Sequence, residues 1–229
     1  MHRRVALFLL LAATDLTLAA EFPQLDADVI YESRTVTHAG VTETRQFHNI
    51  LVRRPGHVWM ERVLPKSTKT GHLHPVAAVA SQHKHVDFEI SSQHLTKTTS
   101  GEIRAEYVDH ARQMVVFVPA SEYSVSGFDG SWDNAAAVVA EKTVKAMPVS
   151  LRKVDVPNAQ WYEEVRNGWY NRVLWSDRHK VALIVESGKM DGSIKRRTVV
   201  TPKFAMPNDR LPWKSLVGFV QKEYDDFMD

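Results

Sequence analysis

Apolar and polar residues fall in short runs closed by turn-forming residues, and some of these runs alternate with a period of two. That period sends successive side chains to opposite faces of an extended strand, so it predicts β-structure. Residues 29–37 lead through His38-Ala39-Gly40 into 41–54, and Pro55-Gly56 leads into 57–64, a three-strand meander. The stretch from Pro65 to Val76, with Pro, Gly, Ser and Thr, predicts a loop. Residues 83–91 alternate cleanly, with His83, His85, Asp87 and Glu89 on one face and Val86, Phe88 and Ile90 on the other. Residues 103–110 and 112–118 predict two more strands, the second ended by Pro119.

The period then changes. Residues 134–147 have helical composition, with Asn134 as N-cap and Pro148 as the stop. Strands 161–166 and 169–175 flank Asn167-Gly168, a dipeptide suited to a type I′ turn because both central residues need φ > 0. A two-residue loop pairs Arg166 with Trp169 and Glu163 with Arg172, placing opposite charges across the strands. Residues 181–187 and 193–201 predict a second hairpin around Asp191-Gly192. After Pro207, the placement of Pro212 and the spacing of Leu216, Phe219, Val220 and Phe227 predict a C-terminal helix with one apolar face. The sum is a mainly β (α+β) chain, an antiparallel meander with one or two helices and no βαβ rhythm.

Composition narrows the class. His2, Arg3 and Arg4 precede an apolar run, Val5 to Ala13, and small residues gather at Ala19 and Ala20, the layout of an export signal over residues 1–20. Residues 21–229 are then one domain, and the expected location is the periplasm. The chain has no cysteine, so neither disulfides nor thiolate ligands enter the argument. Without residues 1–20 the chain keeps 27 basic and 26 acidic residues, a balance that offers no footprint for nucleic acid. Arg53-Arg54 and Lys195-Arg196-Arg197 read as solvated strand edges or turn flanks.

Two stretches resemble a known family. From Tyr170 onward a strand ending in Trp175-x-Asp177 leads to a strand running up to Asp191-Gly192, and the opening meander turns at Gly40 before RRPGHVWMERVLP. In both places the chain is similar to the LolA/LolB-like superfamily of periplasmic lipoprotein carriers, and to the N-terminal domain of the MucB/RseB proteins. The resemblance implies a curved antiparallel half-open barrel with one or two helices packed on it, binding acyl chains or hydrophobic segments.

Candidate chemistry follows on two lines. Large residues on one face of a curved sheet, here Trp59, Val115, Phe117, Trp169, Val173 and Trp175, are candidates to line a cavity for a hydrophobic ligand such as a lipid or lipidated protein. Peripheral membrane contact is compatible with that role. The alternative is a metal site, because five of the eleven histidines fall between His72 and His94. His-x-His in a strand offers two imidazoles to one point, whereas residues four apart are separated by about 13 Å. The expected ligands are therefore two converging pairs, His72 with His74 and His83 with His85, for copper or zinc. His94 and His110 are further candidates, as are Met60 and Met114 toward copper. No Gly-x-Ser-x-Gly elbow, phosphate loop, dinucleotide fingerprint or His-Glu-x-x-His helix is present, so the expected role is non-catalytic.

Overall fold

A computed structural model describes residues 22–65 and 86–227. Among these, eleven strands form one open, curved sheet. They are β1 (Leu25–Val36), β2 (Thr42–Arg54), β3 (His57–Arg62), β4 (Ser92–Lys97), β5 (Ile103–Asp109), β6 (Met114–Val118), β7 (Ala159–Arg166), β8 (Trp169–Ser176), β9 (Val181–Lys189), β10 (Ile194–Lys203) and β11 (Val220–Glu223). The order across the sheet is β11-β6-β5-β4-β3-β2-β1-β10-β9-β8-β7. Two antiparallel meanders, β1 to β6 and β7 to β10, are thus joined along the ladder of β1 with β10, which runs from Asp26 with Lys203 to Thr35 with Ile194.

The hairpin read from Asn167-Gly168 forms in the expected register. Both turn residues have positive φ, 50° and 75°. Glu163 faces Arg172, whose Nε donates to Glu163 Oε1 at 2.6 Å. The Trp175-x-Asp177 turn is tied by its own side chains, the indole N–H donating to Asp177 Oδ1 at 3.3 Å.

Three expectations are corrected. The helix 134–147 is two short helices, Trp132–Ala137 and Glu141–Lys145. Its N-cap is Ser131, whose Oγ accepts from the Asn134 N–H, while Asn134 Oδ1 accepts from the Ala140 N–H and draws the chain out of helical geometry. Val138 between them takes φ 68° and ψ −40°, which a β-branched residue rarely does. The C-terminal helix is replaced by 3₁₀ turns at Asn208–Arg210, Pro212–Leu216 and Tyr224–Phe227 and by β11, which pairs parallel to β6. Gly218, at φ 89°, breaks any continuation. In the expected strand 83–91, Phe88–Ile90 form a turn and β4 begins at Ser92, because the Ser91 N–H and hydroxyl both bond back to the Asp87 carbonyl.

The middle of the sheet is covered on both sides. One face carries Ala27, Val29, Leu51, Val58, Leu95 and Ala105, all buried, and is covered by the 3₁₀ helix Ala120–Ser126 and the two short helices. The opposite face carries Val52, Trp59, Val108 and Val115 beneath Met206, Leu211, Trp213, Leu216 and Phe219. Alternation within each strand produces this arrangement: Leu51 and Val52, or Val58 and Trp59, point to opposite sides.

Candidate ligand cleft

The cover over the first face is held by buried polar groups. Arg53, fully buried on β2, donates to the carbonyls of Pro23 at 2.9 Å and Lys180 at 3.1 Å, and also to those of Ala136 and His179. Burial lowers its pKa to about 10, which still leaves the guanidinium charged at neutral pH. The expectation of solvated strand-edge arginines is corrected here: Arg54 is also buried, paired with Asp26 at 2.5 Å. From the β5 side, Tyr107 donates to Ser126 Oγ at 2.7 Å and Tyr123 to the Ile103 carbonyl at 2.8 Å.

Between the sheet and this cover lies a cleft of about 410 Å³. Its floor comes from Tyr31, Met60, Gln93, Val185 and Thr198, contributed by five strands, and its roof includes Phe128, Val138 and Val139. Tyr31 is fixed by stacking on Phe47 at 4.8 Å, and its burial raises the phenol pKa. Asp129 and Asn134 stand at the cleft and bond to one another at 2.6 Å. The lining mixes apolar side chains with the polar groups of Gln93, Asp129, Asn134 and Thr198, in the size range of small-ligand pockets. The distorted Val138 forms part of the roof.

The six residues expected to line a cavity lie elsewhere and do not converge. Trp59 and Val115 pack on the opposite face beneath Leu211. Phe117 shares that face under the Arg104 guanidinium, 4.2 Å from its ring. Val173 and Trp175 pack against Ala137 and Val144 of the short helices. Trp169 is 38% exposed at the β7–β8 turn. Side-chain size and alternation in a sequence do not tell which face, or which part of a face, holds the space. His72, His74, His83 and His85 lie outside the described residues. Met60 lines the cleft and Met114 is buried at the start of β6.

A second constellation, beneath the C-terminal cover, was not anticipated. His57 Nδ1 meets His94 Nε2 at 3.1 Å, and His94 Nδ1 meets Glu106 Oε2 at 3.2 Å. Trp213 stacks nearly parallel on both imidazoles, with centroids 4.9 Å and 5.3 Å away. Glu106 is held below the usual carboxylate range by its bond to His94, with help from Arg104. Burial, then the neighbouring His94, pushes the His57 pKa down. Both His94 nitrogens are engaged by these contacts, and Trp213 docks on the two rings. His110 bonds Ser92 Oγ at 3.2 Å. Among the described residues no group of three His, Asp or Glu could hold a metal ion.

No family model and no curated protein matches the sequence. Similar solved structures include PNGF-II, at 13% identity and TM-score 0.39, covering 89% of this chain and 33% of that one. They also include a Vibrio parahaemolyticus domain described for outer membrane lipoprotein sorting, at 11% identity and TM-score 0.32, covering 83% and 91%. A LolA superfamily protein from Nitrosomonas europaea matches at 8% identity and TM-score 0.31, covering 82% and 90%. The chain spans about a third of the length of PNGF-II.

Proposed function

We propose that this chain is a non-catalytic binding protein of the periplasm that receives the apolar part of a ligand, a lipid or a lipidated protein, in the cleft beneath the Ala120–Lys145 cover. The cleft itself carries this reading: about 410 Å³ bounded by Tyr31, Met60, Phe128, Val138 and Val139, with polar groups confined to a few positions. An acyl chain loses contact with water against such walls, while Gln93, Asp129 and Asn134 can meet a polar head. The export-signal layout of residues 1–20 and the sequence resemblance support the location and the ligand class. Among the described residues no helix is long and apolar enough to cross a membrane.

The test is binding of an environment-sensitive fluorescent fatty acid to the parent and to Val139→Trp, which fills the cleft from its roof. The parent should bind, and the filled variant should bind roughly ten-fold more weakly or worse, a loss of about 1.4 kcal/mol, with its thermal midpoint checked alongside. Equal binding by a folded Val139→Trp protein would overturn the assignment to this cleft.

A further inference from the structure

Three turns lie side by side along one rim of the sheet: Thr37–Val41 between β1 and β2, Met190–Ser193 between β9 and β10, and Asn167-Gly168 between β7 and β8. Backbone bonds join them into one edge. The Val36 N–H donates to the Ser193 carbonyl at 2.7 Å, and the Met190 N–H donates to the Gly168 carbonyl at 2.8 Å. Each turn carries or adjoins an exposed apolar side chain: Val41 at 57%, Met190 at 58% and Trp169 at 38%. Fixed hairpin tips spend little conformational entropy in presenting such groups.

The same rim is basic. Residues 32–46, 163–172 and 186–197, which pair with one another at this end of the sheet, hold eight lysines and arginines against six acidic residues. Of those acids, Glu186 is taken by Arg152 at 3.0 Å and Arg197 at 3.7 Å. Arg34, Lys195 and Arg196 are exposed. A groove of about 440 Å³ runs along this edge, lined by all three together with Thr44, Tyr170 and the carboxylates Glu32 and Glu186. Lys189 stands over the Trp169 ring, its Nζ 5.7 Å from the centroid.

We propose that this rim docks the protein on an anionic phospholipid surface, with headgroup phosphates in the groove and Val41, Trp169 and Met190 at the level of the acyl boundary. Cations alone would suit any soluble phosphate. Exposed tryptophan and methionine at the tips of the same rigid edge are what a bilayer interface rewards and a small anion does not. The surface is distinct from the cleft, so the two assignments are tested separately.

The experiment is co-sedimentation of the chain, as recovered from expressing cells, with vesicles of phosphatidylcholine alone or mixed with phosphatidylglycerol. The parent and all variants carry the same N-terminus. Binding should require the anionic lipid and weaken in salt of about 0.5 M, where screening lengths shrink to a few ångströms. Replacing Arg34, Lys195 and Arg196 by glutamine should lower partitioning about five-fold per cation, roughly a hundred-fold in all. Replacing Arg34 and Arg196 by lysine should preserve it. Trp169→Ser should weaken it without altering the salt dependence. Glycerol phosphate should compete only weakly. Equal binding to neutral vesicles, indifference to the triple glutamine variant, or full displacement by glycerol phosphate would overturn the proposal. So would a concentration-dependent dimer abolished by the same variant, since the occupant would then be a second copy. Fatty-acid binding in the cleft should survive the triple variant, which separates failure here from failure of the cleft reading.

Discussion

Arg53 carries a charge at a fully buried position, and four carbonyls from three parts of the chain receive it. One acceptor, Ala136, lies in the last turn of the first short helix, where the backbone dipole favours a cation. Arg53→Met matches the length but strands those carbonyls without a donor. The expected cost is about 3–5 kcal/mol, measured from the denaturant midpoint. Arg53→Lys should recover only part of it, because an ammonium cannot reproduce the planar fork. A loss below about 0.5 kcal/mol for the methionine variant, the range of an ordinary surface substitution, would show that the guanidinium does not organise the cover. Nothing local marks this residue. Arg53 sits beside Pro55-Gly56 in a pair that looks like a turn flank, and its acceptors at His179 and Lys180 arrive from a loop more than a hundred residues away.

Elements whose partners are local were legible, and elements whose partners are remote were not. The Asn167-Gly168 hairpin could be registered residue by residue, because a two-residue turn determines every pair and the Glu163–Arg172 pair agrees with it. The C-terminal segment showed helical spacing, yet Leu216 and Phe219 lie on the sheet as successive turns. Residues 220–223 instead pair with β6, a strand remote in the sequence that a local window does not bring beside them. The His57–His94–Glu106 chain was hidden likewise, since its members come from three strands and meet only through the register. This contact makes the docking of residues 206–219 depend on pH. In the folded protein the His57 pKa lies below 6.5, so a detached segment would free His57 to take up a proton that the docked state resists. Docking is complete above about pH 6.5 and weakens as pH falls through the folded value, where protonation of Glu106, also lowered, adds a second loss in stronger acid. The hydrogen-exchange protection of residues 206–219, taken relative to the intrinsic rate at each pH, should therefore be lower about one unit below pH 6.5 than one unit above. His57→Gln should flatten the dependence, and identical protection on both sides would refute it.

At the scale of the molecule, the question is whether the two meanders are one cooperative unit or two. Their junction is the β1–β10 ladder, ten residue pairs long. A ladder alone could separate, but the core runs across it: Leu51 and Leu95 of the first meander share a buried cluster with Trp161, Leu174 and Leu183 of the second. Arg53 adds a polar tie from β2 to the loop before β9. The expectation is a single unfolding transition. It can be read with one tryptophan in each half, Trp59 on β3 and Trp175 on β8, the other indoles being replaced by phenylalanine. The two probes should report coincident denaturant midpoints. Leu51→Ala, on the first meander, should cost about 2–5 kcal/mol and move both midpoints together. Two separate midpoints, or a Leu51→Ala shift confined to the Trp59 signal, would mean that the halves fold independently. The cleft would then open along a seam, since its floor takes Tyr31 and Met60 from one meander and Val185 and Thr198 from the other. A single transition leaves the cleft floor rigid and assigns adjustment to the cover, where Val138 already holds a strained backbone.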